Sequence, residues 1–563
     1  MVWSQVYDPM GNVWWSAVLA AIPVVVMLGC IAFGHMKAHY AAGLGLASAL
    51  LVAIFGFGMP ASLAWNAAGY GAAFGLLPIG WIILNIIFLH QLTIQNGSFK
   101  VLQDSLTSIT DDRRIQLLLI AFCFGAFFEG AAGFGTPVAV TAAIMIGLGF
   151  SPLAASGLCL IANTAPVAFG ALGTPVIALS AVTGIDLLQL SGMIGRQLPL
   201  FSLLVPFWLI WAFAGFRGML QIWPAILVAG LSFAIPQYLV SNFHGPWLVD
   251  VVAAIVSMVS LILFLKVWQP KKVWTSTSLH GRKDNSAVPA MASEKLPDNA
   301  GNAMIFEKYD RRALVLAWMP WVILTVLVFI WGVPEFKKWI DGISVFKIPF
   351  TGLHNLVEKV APVVTSPHKE SAIYTLNWLS ATGSGIFIAS ILAGLMMKYS
   401  LLDLFRTYLR TIWLVRYSLL TIVLMLALGY LTRYSGTDAT LGLVFAHTGI
   451  MYPIFGTLLG WLGVALTGSD TAANVLFGGL QKTTAEQLGL SPVLMAAANS
   501  SGGVMGKMID AQSIVVASTA TRWYGHEGDI LRFVFFHSLA LAILVGILVF
   551  MQAYVYPFTS LVY

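Results

Sequence analysis

Two acidic residues lie where a chain buried in a membrane could use a proton. Glu129 follows an apolar stretch and precedes Gly130-Ala131-Ala132-Gly133-Phe134-Gly135, and Asp470 stands inside Thr467-Gly468-Ser469-Asp470-Thr471. A carboxylate inside a bilayer costs at least about 2.5 kcal/mol unless it is paired, protonated or hydrated. Both are therefore read as proton-coupling groups at deep hairpin tips. Each has a plainer alternative: an ion pair of Glu129 with Arg433 or Lys507, and a helix N-cap formed by Ser469 and Asp470.

Asn163, Thr164, Asn499, Ser500 and Ser501 are the polar residues expected at helix breaks. Freed backbone N–H groups and helix N-termini attract anions there, although the same side chains could merely cap the break. Ser469 and Thr471, beside Asp470, complete the substrate-binding set together with Lys507, which follows the second break. Lys507 could equally be the counter-ion of Asp510, one helical turn away. Gly502-Gly503-Val504-Met505-Gly506-Lys507-Met508 resembles a phosphate loop only loosely, because its glycine spacing is wrong and no Ser or Thr follows the lysine. His526-Glu527 does not extend to HExxH, and no GxSxG occurs. ATP-driven transport and hydrolysis are disfavoured, and neither metal nor cofactor is expected. Cys30, Cys123 and Cys159 lie in apolar runs without CxxC pairing and read as small buried hydrophobes. Arg196 and Arg433 are expected at membrane interfaces, His447 in a structural role, and Gly71/Gly75 and Gly456/Gly460 at close helix packing.

The elements that must hold these residues follow from composition. Of 563 residues, 59% are hydrophobic and 9% charged, against about 25% charged in soluble domains. The net charge of +6 is spread over the loops, which argues against nucleic acid and fits cationic cytoplasmic loops. The start Met1-Val2-Trp3-Ser4-Gln5 has no basic region, so the apolar run 13–33 is expected to stay as a span rather than be cleaved. Further runs of spanning length occur at 41–58, 66–92, 197–215, 223–240, 248–267, 313–331, 372–397, 415–431 and 531–553. Around 130–137, 163–175 and 467–510 the apolar pattern is interrupted by Gly, Pro, Ser, Thr, Asn and acids. Irregular backbone at membrane depth is tolerated only against protein or a watery cavity.

An internal repeat links these interruptions. Gly149-Phe150-Ser151-Pro152 returns as Gly489-Leu490-Ser491-Pro492, and Asn163-Thr164-Ala165-Pro166 has its counterpart in Asn499-Ser500-Ser501-Gly502. The match covers about 55 residues per copy. Charge placement leads to the same plan. His35, Lys37 and His39, then Lys100, Arg113 and Arg114, and later Lys266–Arg312, Lys398–Arg416 and Arg522 all fall inside if two segments are re-entrant. Those are 115–149, entering from inside, and 453–489, entering from outside. The segments 151–183 and 491–521 then cross in opposite directions as broken helices. The fold expected is an all-α polytopic membrane protein with about twelve crossings plus two hairpins, arranged as an inverted repeat with broken helices. Residues 1–268 and 313–563 form the two transmembrane halves, joined by a polar cytoplasmic linker at 269–312. The loop 332–371 is expected outside, with short interfacial helices.

At these residues the chain resembles the bacterial L-lactate permease family, which includes the glycolate permeases. The resemblance runs through 118–152, 157–186, 462–474 and 496–513 and reaches nearly full length. It implies proton-coupled import of L-lactate, D-lactate or glycolate across a bacterial inner membrane, with those 2-hydroxy acids, protons and the bilayer as partners. The chain departs from the family pattern at Asp510-Ala511, where the family is more like Ser-Pro. Independent of the resemblance, carrying one anion inward against the membrane potential costs about 2.3 kcal/mol per 100 mV. A co-transported proton cancels that cost. Sodium would do so equally, and a passive anion channel or a receptor are the rival classes, the receptor lacking any visible output module. Oligomeric state stays open.

Overall fold

In a computed structural model the described residues are 2–32, 36–107, 109–131, 133, 136–281, 310–364, 366–523 and 526–563. His35, Ala132, Phe134, Gly135 and the greater part of the expected linker, 282–309, lie outside them. Apolar runs become helices because a helix satisfies its own backbone groups where water is missing. The chain opens with a short strand β1 (Trp3–Ser4), then α1 (Val13–Ala32) and α2 (Ala38–Leu51). α3 (Ala61–Phe74) and α4 (Trp81–Gln95) form one rod kinked near Pro78, and the short α5 (Ser98–Thr107) follows.

The first re-entrant segment then begins. α6 (Arg113–Leu117), a π-helical stretch (Leu118–Phe124) and α7 (Gly125–Ala131) make one continuous helix, buried from Arg114 to Ala131. An apolar helix covered on all sides belongs inside protein rather than against lipid. α8 (Thr136–Gly147) packs back along it. α9 (Pro152–Ala162) starts on a Ser151 cap with Pro152 in its first turn, and α10 (Gly170–Thr183) continues it after a bend of 64°. Three long helices, α11 (Leu187–Gln221), α12 (Trp223–Phe243) and α13 (Val249–Val267), follow.

After residues 282–309 come α14 (Arg311–Gly332) and the short α15 (Pro334–Ser344). Residues 345–377 carry β2 (Val345–Pro349), β3 (Val357–Lys359), β4 (His368–Lys369) and β5 (Ile373–Asn377). β2 pairs antiparallel with β5, and β3 lies between β1 and β4. The alternation of apolar and charged residues there is the period of a strand, so beside the expected interfacial helix the loop is a small β cover. α16 (Thr382–Met396), α17 (Leu401–Ser435) and α18 (Thr437–Phe445) lead to the second hairpin, α19 (Tyr452–Thr467) and α20 (Asp470–Leu488). The second broken helix is α21 (Pro492–Gly506) plus α22 (Ala511–Ala520), and α23 (Glu527–Tyr554) ends the bundle.

The two broken helices run in opposite directions. Ser156, early in α9, meets Thr521, just past α22, at 3.0 Å, and Lys482 of α20 donates to the carbonyl of Thr183 at the end of α10 at 2.9 Å. Among the described residues ten helices are long and apolar enough to cross a membrane, or eleven with the bent pair α9–α10 counted as one span. The ten include Arg113–Ala131, expected as an arm of the first hairpin rather than a crossing, and leave out shorter apolar helices such as 13–27 and 382–396.

Candidate functional site

Glycine decides how closely the second hairpin and its broken helix can meet. A Cβ on Gly460 would overlap the carbonyl of Asn499, one on Gly502 the carbonyl of Thr457, and one on Gly506 the carbonyl of Trp461. The glycines that suggested a phosphate loop therefore let α21 press on α19. The same closeness brings Lys507, at the end of α21, to the hairpin tip, where its Nζ donates to the carbonyl of Gly468 at 2.5 Å. Gly468 ends α19 in the left-handed region at φ 73°. Ser469 then caps α20, its Oγ accepting from the N–H of Ala472 at 3.2 Å.

The first broken helix has a sharper break. After Asn163 the chain makes a 3-10 turn and then three left-handed residues, Ala171 (φ 45°), Leu172 (φ 55°) and Gly173 (φ 77°). For the two non-glycine residues this backbone costs about 1–2 kcal/mol each. Packing holds it in place, since Leu172 is fully buried and Gly173 is wedged against Pro246. Right-handed helix resumes at Thr174, so the α10 N-terminus is set at depth, on the surface of a cavity. A strained turn of this kind persists only where its surroundings over-determine it.

That cavity measures about 150 Å³. Hairpin 1 supplies Glu129 and Gly133, the first break Gly170, Ala171 and Thr174, and the second hairpin the run from Thr467 to Ala472. Lys507 and a face of α17 with Ser418, Thr421, Ile422 and Met425 complete it. Two helix N-termini, of α10 and α20, thus border one small space, each presenting backbone N–H groups and the positive end of its dipole. Lys507 adds a buried cation and forms an ion pair with Asp510 at 3.3 Å. Asp510 also caps α22 by accepting from the N–H of Ser513 at 2.7 Å.

Of the residues singled out in sequence, Glu129, Ser469, Asp470, Thr471 and Lys507 meet at this cavity. Asp470 Oδ2 accepts from Ser500 at 2.5 Å and from Asn474 at 3.2 Å. Glu129 has no ion pair among the described residues: Arg433 binds Glu370 instead at 2.9 Å, and Lys507 is engaged with Asp510. Its Oε1 lies against Gly170, where a Cβ would come within 2.7 Å, and its Oε2 is buried without a hydrogen-bond partner. Asn163 does sit at the first break, its buried amide beside the Glu129 carboxyl, while Thr164 turns its hydroxyl onto the carbonyl of Ile161. The expectation for Asn499, Ser500 and Ser501 needs correcting. They lie within the continuous α21, and the second break falls at residues 507–510. Polarity in the middle of α21 reflects helix–helix hydrogen bonds: Asn499 joins Asn474 and Gln481, and Ser501 donates to Gln197 at 2.7 Å.

The L-lactate permease family model matches residues 16–556. The chain belongs to the L-lactate permease family. Permeases of this family are transporters, not enzymes. The glycolate permease GlcA of Escherichia coli K12 is 46% identical over 563 residues, covering 99% of both chains. The L-lactate permease of Bacillus subtilis 168 is 44% identical over 579 residues, with 99% of each covered, and that of Escherichia coli K12 is 42% identical over 559 residues, with 98% of each covered. Among solved structures, the YdaH transporter of Alcanivorax borkumensis is similar at TM-score 0.40 and 14% identity, over 87% of each chain.

Sequence reasoning missed the permease's α17 contribution and one acid. Ser418 and Thr421 sit one turn apart in a run that reads as an ordinary span, and only their i, i+3 spacing marks a polar face. Gly170 was indistinguishable from the other glycines until Glu129 was seen against it. Asp250, buried in the first turn of α13, was not singled out in sequence.

Proposed function

We propose that this permease is a secondary active transporter that imports lactate, and with it glycolate, in symport with protons across a bacterial inner membrane. The observation that carries the reading is the convergence of two helix N-termini, the Lys507 ammonium and two carboxyl groups on one small cavity. A 2-hydroxy monocarboxylate matches that set. Its carboxylate takes the N–H groups of α10 and α20, its 2-hydroxyl takes Ser469, Thr471 or Thr174, and Lys507 supplies charge. Glu129 and Asp470 are the groups assigned to the coupling proton, and Ser500 and Asn499 support Asp470 from behind. Asn163 and Thr164 stand at the first break, Asn163 beside Glu129, and Ser501 contributes from within α21.

Coupling follows from charge balance. A proton entering with the anion makes the step electrically neutral, so the pH gradient drives uptake and the membrane potential no longer opposes it. The two hairpin–broken-helix units, one in residues 1–268 and one in 313–563, are the elements that exchange access between the two sides, with 269–312 as a cytoplasmic connection.

Radiolabelled lactate uptake into proteoliposomes under imposed gradients tests this. An inward proton gradient alone should drive accumulation above the external concentration, and unlabelled lactate inside should accelerate entry. Accumulation that needs sodium would move the coupling ion, and equilibration without counterflow would indicate a channel.

A further inference from the structure

One buried carboxyl has no place in the site as described. Asp250 opens α13, is 1% exposed, and does not line the cavity. Among the described residues it is the one carboxyl whose two oxygens are both buried without a hydrogen-bond partner. It packs against Gly130, the residue after Glu129: a Cβ there would lie 2.7 Å from the Cβ of Asp250 and 3.0 Å from the N of Val251. Glycine at 130 is what allows α13 to bring this acid onto hairpin 1.

The surroundings offer no counter-charge. Of the elements packed on α13, α12 and α10 contain no acid, lysine, arginine or histidine. The π-helical stretch offers only Cys123, whose thiol is engaged with Ser257 at 3.3 Å. α7 offers only Glu129, close enough for two charges to repel. An unpaired buried carboxylate costs several kcal/mol, so two negative charges here would be stable only one at a time. A neutral carboxyl kept for structure would be expected to donate a hydrogen bond, and this one donates none. What the fold does provide is the start of α13, whose dipole eases a transient charge.

We propose that Asp250 is a second proton-carrying carboxyl of the transport cycle, exchanging one proton with Glu129 across Gly130 from outside the substrate cavity. The proposal rests on the symport reading. The exchange balances: Asp250 loses the proton and becomes carboxylate as Glu129 gains it and becomes neutral, and the reverse step restores both. Placing one acid in the cavity and the other behind it separates the proton's path from that of the substrate.

Asp250→Asn, close in shape and unable to release a proton, tests the assignment in proteoliposomes of the full chain. Uphill lactate accumulation under a pH gradient should be lost while lactate counterflow continues. Asp250→Glu, which keeps a titratable group, should recover accumulation at least in part. Wild-type accumulation by Asp250→Asn overturns the proposal. So does loss of counterflow in both variants, which would mark the position as structural. If the wild type itself fails to accumulate lactate under a pH gradient, the symport reading falls, whatever the Asp250 variants do.

Discussion

The two hairpin–broken-helix units share a plan but differ in how they hold their acid. Asp470 begins α20, at the positive end of a helix dipole, with Ser500 and Asn474 donating to it. Glu129 comes near the end of α7, where the dipole is negative, with one oxygen buried and unpartnered. Behind Asp470 lies a hydrogen-bonded core of Asn474, Asn499 and Gln481, and behind Glu129 lies the unpartnered Asp250. Lys507 is pinned to Gly468 and Asp510, all in the second unit. Each acid keeps one buried oxygen without a hydrogen-bond partner and Lys507 attracts both, but the hydrogen-bond donors are concentrated in the second unit and the spare acid, Asp250, lies in the first. Repeat symmetry places the tips together; the chemistry is divided between them.

The largest effect that would test this division is loss of coupling. Glu129→Gln should abolish pH-driven accumulation and leave counterflow, whereas Asp470→Asn should both weaken pH-driven accumulation and raise the lactate concentration needed for half-maximal exchange. Identical phenotypes would erase the distinction. Next comes Lys507. Lys507→Met removes the buried cation and leaves Asp510 without its ion pair, a change of about 3–5 kcal/mol when a buried partner is lost. Counterflow should fall to background, and Lys507→Arg should retain part of it. Smaller again is Ser500→Ala, which strips one donor from Asp470. An unsatisfied buried group of this kind costs about 1–3 kcal/mol, read as roughly ten- to a hundredfold weaker lactate binding. Asn163→Ala, which removes only the weak contact of this amide with Glu129, should leave thermal stability near that of the wild type.

Much of this arrangement could be read from residues alone. Glu129 and Asp470 were legible because an acid amid small apolar residues is expensive, and the hairpins because charge placement left no other topology. Ser151-Pro152 and Ser491-Pro492 announced two helix starts, and both cap as expected. The second break was misplaced because a polar Asn-Ser-Ser run inside a helix looks the same in sequence as one at its end. Only its partners, Gln197, Asn474 and Asp470, distinguish the two. The left-handed turn at Ala171-Leu172 carried no signal, since neither residue favours that backbone and packing imposes it. The β cover was taken for interfacial helices, because alternation over strands of two to five residues is too short to separate a strand from a short amphipathic helix.

The smallest expected effect concerns Arg433, the other cation the sequence offered as a partner for Glu129. Arg433 ends α17 far from that duty, bound to Glu370 at 2.9 Å, and Lys359 of β3 reaches the same carboxylate at 3.1 Å. Burial would raise the Glu370 carboxyl, but Arg433 and Lys359 outweigh it and hold the group down at about 2, against an ordinary 4.5. A carboxyl lowered on folding stabilises the native state fully above its ordinary value and ceases to do so as pH falls toward the lowered one. Hydrogen exchange in 357–377 should therefore be steady from neutral pH to about 5 and increase, after correction for intrinsic rates, only as pH drops further. Glu370→Gln should flatten that acid limb and loosen the cover while leaving pH-driven accumulation in place. If coupling were lost instead, Arg433 would belong with Glu129 after all, and the contrast between a donor-rich second unit and an acid-rich first one would have to be redrawn.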